Sequence, residues 1–165
     1  MARMQIKGLD EYLSAISELG NKTEELTSQA IYNGADIMAD EVRNKIEGLS
    51  TVNENYNRGA YRKGYRGKLS EEQKKGLLDS LGIASIELTA IYKNAKIGFD
   101  GYNDIVTKKY PKGQPNQLIA RVVESGTSYT KKQPFFRPAV NAKKKTVEDK
   151  MAETFEKGID KIMKE

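Results

Sequence analysis

The chain of 165 residues contains no cysteine and no histidine. Without cysteine there are no disulfides and no thiolate metal sites, and composition leaves no mark of a redox compartment. Without histidine, zinc sites of the usual kind, Ser-His-Asp and Cys-His nucleophile systems and imidazole acid/base chemistry all drop out. Long apolar runs are missing too: nothing approaches the roughly 20 residues of a membrane span. The opening MARMQIKGLDEY reaches an acidic residue too early for a secretory leader, so a soluble protein made in a cytoplasm is expected, with no membrane partner.

Apolar residues are themselves sparse. They form 38% of the chain counting tyrosine; setting aside 9 Tyr and adding 14 Gly gives about 41%, below the ~45–50% usual for globular domains. A single domain with a lean core is expected over 1–165, stabilised in part by partners.

Charge is plentiful but uneven. The net +5 comes from 28 basic and 23 acidic residues, and residues 51 to 70 hold Arg58, Arg62, Lys63, Arg66 and Lys68 against Glu54 alone. The positive field is local, which is what an anionic partner would feel.

Periodicity predicts the elements. MQIKG reads as a short strand, followed by a helix that Asp10 caps, with Leu9, Tyr12, Leu13, Ile16 and Leu19 on one side and Gly20 as its end. Asn21 and Glu24 then stand in capping spacing before a helix of about 25 residues, whose stripe runs Leu26, Ala30, Ile31, Gly34, Ala35, Met38, Val42, Ile46 and Leu49. The small residues Ala30, Gly34 and Ala35 invite close approach by another backbone. Ser70 with Glu71 and Glu72 opens a short helix through Leu77, Leu78 and Leu81.

IASIELTAIY and AKIGF read as two strands with Lys93 and Asn94 as the turn between them. Residues 100–116, rich in Gly, Pro and Asn, read as an exposed loop. Asn116 is the expected N-cap of a helix carrying Leu118, Ile119, Val122 and Val123, which Gly126 ends in a left-handed cap. Pro138 suits the first turn of a last helix running to residue 164. Its stripe of Val140, Val147, Met151, Phe155, Ile159 and Ile162 is narrow, Gly158 weakens it by about 1 kcal/mol relative to Ala, and Thr146 with Asp149 offers capping spacing should it break. So thin a stripe points to docking on a small surface, such as a neighbouring subunit. The fold class expected is α+β, a small antiparallel sheet packed with a long N-terminal and a long C-terminal helix.

Few residues carry chemistry. Asp36 with Asp40, and Glu24 with Glu25, lie on the solvated side of a helix, and GQPNQ and GFDGYN lack the spacing of phosphate-binding loops. No cofactor, metal or small-molecule substrate is expected, although an enzyme with a carboxylate or lysine site stays open as a weaker alternative. The stretch NYNRGAYRKGYRGK reads otherwise. Tyr56, Tyr61 and Tyr65 can stack on bases, Arg58, Arg62, Lys63, Arg66 and Lys68 can pair with phosphates, and the glycines permit close approach. The same composition fits a flexible, solvated loop at 51–69, so nucleic-acid binding through 55–68 stands as the alternative function. Phe135 and Phe136, held between Pro134 and Pro138, are costly to leave in water and read as anchors either of the last helix or of a subunit interface.

Two blocks together carry a resemblance. ESGT, a loop and PFFRPA, Glu124 to Ala139, followed by a long charged helix, resemble the minor tail component or neck (tail-completion) family of long-tailed bacteriophages, which commonly reads Glu, a bulky residue, Gly, Thr, a variable loop and Pro-Phe-x-Arg-Pro-Ala. KKGLLDSLGI is similar to the Thr-Gly-x-Leu-x-x-Ser-Ile stretch upstream in that family. Ser125 stands where a bulky residue is usual, Lys75 replaces the Thr, and the Tyr/Arg/Gly segment is longer than the family's link, so nothing is carried onto it. The resemblance implies a structural protein of the virion, found in the host cytoplasm during assembly, forming a homo-oligomeric ring with other head–tail proteins around the DNA channel. It implies no catalysis. Under it, Glu124, Gly126, Thr127, Pro134, Phe135, Phe136, Arg137 and Pro138 are fold or ring-contact elements, and the basic segment faces DNA or an acidic neighbouring ring.

Overall fold

A computed structural model describes residues 9–53, 68–88 and 93–164. Among the described residues the fold is α+β: two long helices, two short ones and an antiparallel hairpin. The strand expected at MQIKG lies outside the described residues.

Helix α1 spans Leu9–Glu47 without interruption. The helix end expected at Gly20 is therefore corrected, as is the separate start at Asn21 and Glu24. An interior glycine costs only about 1 kcal/mol, whereas stopping and restarting a helix requires a second unfavourable nucleation. Side-chain hydroxyls of Thr23, Thr27 and Ser28 donate to the carbonyls four residues back, at 2.6, 2.7 and 2.9 Å, which keeps these helix-neutral residues inside the ladder. At 39 residues α1 is about 58 Å long. Its C-terminal end is covered from outside: the Lys74 ammonium donates to the carbonyls of Glu47, the last helical residue, and of Leu49 just beyond it, at 2.6 and 3.1 Å, placing positive charge at the negative end of the helix dipole.

Val52 N–H donates to the Leu69 carbonyl at 2.9 Å, and Leu69 is buried. The flexible loop expected at 51–69 is thus pinned at both ends, and residues 54–67 lie outside the described residues. Helix α2, Glu71–Ser80, starts at a full capping box: Ser70 accepts from Gln73 N–H at 3.2 Å, and the Gln73 side chain accepts from Ser70 N–H at 3.1 Å.

The hairpin consists of two antiparallel ladders. Strand β1, Leu81–Ile83, pairs with β4, Ile97–Phe99, and β2, Glu87–Leu88, pairs with β3, Lys93–Asn94. Residues 84–86 face only residues 95 and 96, so the register slips by one between the ladders, as at a β-bulge. Lys93 and Asn94 are paired strand residues, which corrects the turn expected there, and residues 89–92 lie outside the described residues. The hairpin runs back along α1, with the Tyr32 hydroxyl accepting from Ile86 N–H at 3.2 Å and the Lys93 ammonium donating to the Glu24 carbonyl at 2.9 Å.

The segment 100–116 lacks regular structure but is not wholly exposed, since Asn103 and Asn116 are only 5% and 3% exposed and Gly113 is buried. Asn103 organises it by accepting from Ile105 and Gln114 N–H at 3.0 and 3.1 Å. Its carbonyl comes within 1.9 Å of where a Gly113 Cβ would stand, and Gly113 has φ 98°, so only glycine fits there. Helix α3, Asn116–Ser125, is preceded by Pro115 at the N-cap; the cap expected of Asn116 is corrected, because its side-chain amide is turned inward to donate to the Asp100 carbonyl at 3.0 Å. Ile119, Ala120 and Val123 form the buried face, while Leu118 rotates to the edge.

Helix α4, Phe136–Ile162, runs unbroken past Thr146 and antiparallel to α1. Asn33 bonds Thr154 at 3.2 Å, Lys143 lies 4.0 Å from Glu41, and Gly158 faces Leu26. The small surface expected for its narrow stripe is thus α1 of the same chain, and what Gly34 admits is not a backbone but the Met151 and Val147 side chains of α4. The core gathers at the C-terminal end of α1, where Val42, Ile46, Leu69, Leu77, Phe135 and Ala139 are all but fully buried.

Candidate assembly interface

The two sequence blocks at 124–127 and 134–139 meet at the start of α4. A helix begins with backbone N–H groups that have no partner within it. Here the N-cap residue, Phe135, has no side-chain acceptor of its own. Glu124, in the last turn of α3, supplies one from outside: its carboxylate accepts from Phe135, Phe136 and Arg137 N–H at 2.7, 2.9 and 3.1 Å. Burial acts to raise the Glu124 pKa, but these three N–H donors and the Arg137 guanidinium together outweigh it and hold the carboxyl below its usual 4.5.

The chain reverses between the blocks. Gly126 ends α3 with φ 72° and ψ 175°, a region that is essentially glycine's alone and differs in ψ from the left-handed cap expected. Thr127 folds the following turn, its hydroxyl accepting from Tyr129 and Thr130 N–H at 3.2 and 3.0 Å. Gln133 N–H then returns to the Val123 carbonyl at 2.8 Å, and its side chain clamps both backbone groups of Ser50 at 3.1 Å. The loop, α3 and the end of α1 are thereby joined. Phe135 is 1% exposed and lies edge-on to Phe99 and Phe136, with centroids 5.9 and 6.5 Å away. Pro134, Arg137 and Pro138 sit on the surface, and Phe136 is half-buried. Ser125 is exposed as well, so a larger side chain has room there.

Of the basic segment, Tyr56, Arg58, Tyr61, Arg62, Lys63, Tyr65 and Arg66 lie outside the described residues, and Lys68 is exposed where the described chain resumes. Sequence reasoning missed three organisers. Gln73 had a visible signal in the S-x-x-Q spacing from Ser70; Gln133 and Asn103 had none, because their partners lie far away in sequence or in the backbone.

A cleft of about 510 Å³ beside α2 carries Glu72, Asp79, Asp100 and Asp104. Among the described residues no three His, Cys, Asp or Glu side chains converge to hold a metal, and no helix is long and apolar enough to cross a membrane. Comparison of the chain with protein-family models, curated proteins and solved structures gives no match.

Proposed function

We propose that this chain is a structural component of the bacteriophage head–tail junction, a neck or tail-completion protein that works in the virion by assembling as a ring around the DNA channel. The observation that carries the reading is the Glu124 carboxylate seated on the N–H groups of Phe135, Phe136 and Arg137. The two blocks on which the family resemblance rests are halves of one device, which fixes the angle between α3 and a helix of about 40 Å. A chain lacking cysteine and histidine, with surface in excess of core, is suited to act by fitting against copies of itself and adjoining proteins.

The test is the mass of the purified protein alone and after mixing with the products of neighbouring reading frames. Ring-sized complexes with a portal, capsid or tail-tube protein support the reading. It fails if those frames encode none of these and the isolated protein instead binds short duplex DNA, its log affinity falling with log salt at about −0.9 per phosphate, which is the nucleic-acid reading.

A further inference from the structure

Two buried asparagines each keep one hydrogen-bonding group unmet. Asn103 and Asn116 are almost fully buried, yet neither Asn103 Nδ2 nor Asn116 Oδ1 has a partner among the described residues. Neither amide can turn over to relieve this. Asn103 Oδ1 is held by the N–H groups of Ile105 and Gln114, and Asn116 Nδ2 by the Asp100 carbonyl, so a flip would break bonds already made. Buried polar groups in folded proteins are as a rule paired, and each exception calls for a partner.

Both side chains line the cleft of about 510 Å³ beside α2. They meet the helix at Gly76, where a Cβ would stand 2.8 Å from Asn116 Oδ1 and 2.9 Å from Asn103 Cβ. The same cleft is lined by Glu72, Asp79, Asp100 and Asp104 against one cation, Lys75, and all five are exposed. Among the described residues none of these four carboxylates is in an ion pair. Tyr102, 62% exposed, stands on the cleft wall.

Each feature narrows the partner. It brings positive charge and N–H donors for the carboxylates and Asn116 Oδ1, together with an acceptor for Asn103 Nδ2. A phosphate group is repelled by the excess of carboxylates. A point charge is poorly matched, because among the described residues no three acidic side chains converge on one position. A guanidinium matches better: it is planar, spreads five donors over a fork and stacks on an aromatic face. Small-molecule sites are mostly apolar and enclose their ligand, whereas this cleft is walled by exposed charges, so the guanidinium is presented by a larger body.

We propose that the cleft beside α2 receives an arginine side chain of a partner protein, its guanidinium lying against Tyr102 among the carboxylates and reaching Asn116 Oδ1, while a backbone carbonyl of the segment that carries it accepts from Asn103 Nδ2. This deepens the assembly reading by naming the chemistry of one contact with an adjoining protein, and for that partner's place in the virion it rests on that reading.

The test is a titration of the full chain, ¹⁵N-labelled, with the blocked peptide acetyl-Gly-Arg-Gly-amide, following the side-chain NH₂ signals of Asn103 and Asn116. Both are expected to shift saturably, less so at high salt, and the same peptide with lysine in place of arginine is expected to bind several-fold more weakly. Asp79→Asn with Asp104→Asn, both at exposed positions and so leaving the fold intact, should weaken the arginine peptide about tenfold. Equal binding of the lysine peptide overturns the guanidinium assignment, as does calcium chloride shifting the same signals in place of the peptide. Asparagine signals that the peptide never moves mean that the two amides are satisfied by enclosed water, and this too overturns it. A protein that binds the peptide but forms no ring with its neighbours keeps the site and loses the assembly reading.

Discussion

The Glu124 carboxylate accepts the backbone N–H of Phe135 at 2.7 Å, while the Phe135 ring fills the core against Phe99. One residue is thus held by its backbone on one side and its ring on the other. Loss of an ordinary N-cap side chain costs about 0.5–2 kcal/mol. Because three N–H groups share this acceptor, Glu124→Ala is expected to lose about 2 kcal/mol in urea unfolding, and Glu124→Gln about half of that, since it keeps an acceptor oxygen but not the charge. Equal stability of Glu124→Ala and wild type would remove the cap from the account.

The same carboxylate ties stability to pH. Its folded pKa lies below the ordinary 4.5, because its N–H partners and Arg137 overcome the effect of burial. The folded chain therefore prefers the ionised form, and this stabilisation is full above the unfolded value and is lost as pH falls through the folded one. The stability gap between wild type and Glu124→Gln is expected to be widest near neutral pH and to shrink below about pH 4. A gap that is the same at pH 7 and pH 3 would contradict the assignment.

On the outer face of α4, Glu153 lies between Lys157 and Lys150 and pairs with both. Lys157 first, then Lys150, holds its carboxyl down to about 2. A carboxyl-carbon NMR titration is expected to show Glu153 as one of the last side chains to protonate at low salt. Lys157→Ala and high salt should each move that midpoint back toward 4.5, because exposed charges are screened. A midpoint that ignores both would mean the pairing is not formed in solution.

How much of this was legible in the sequence depends on the range of the cause. The α+β class, the stripe from Leu26 to Ile46 and the start of α2 at Ser70 follow from local spacing and were read correctly. Gly20 was misread because a local breaker signal competes with the cooperativity of a 39-residue helix. Asn116 was misread because its side chain has a tertiary partner at Asp100 that outweighs its capping preference. At the candidate interface, Glu124 and Phe135 were singled out by motif, but the bond between them joins residues 11 apart across a reversal at Gly126 that spacing alone does not reveal.

Gly158 and Gly34 reverse the usual expectation for glycine in a helix. On an exposed face, Gly→Ala stabilises by about 1 kcal/mol. Here a Cβ on Gly158 would lie 2.3 Å from Leu26 Cδ2 and within 3.3 Å of two further Leu26 carbons, and one on Gly34 would lie 2.7 Å from Met151 Cγ and 3.1 Å from Val147 Cγ1. Val147 is branched and stiff, so the Gly34 contact has little room to yield. Gly34→Ala is expected to destabilise by about 1–3 kcal/mol, and Gly158→Ala to lose stability despite its better helix propensity. Adding Leu26→Ala to Gly158→Ala should cost less than the two single changes together, by about 0.5 kcal/mol or more, since the added methyl then fills the space the leucine left. If Gly158→Ala raises the unfolding midpoint instead, α4 does not lie against α1 at this level.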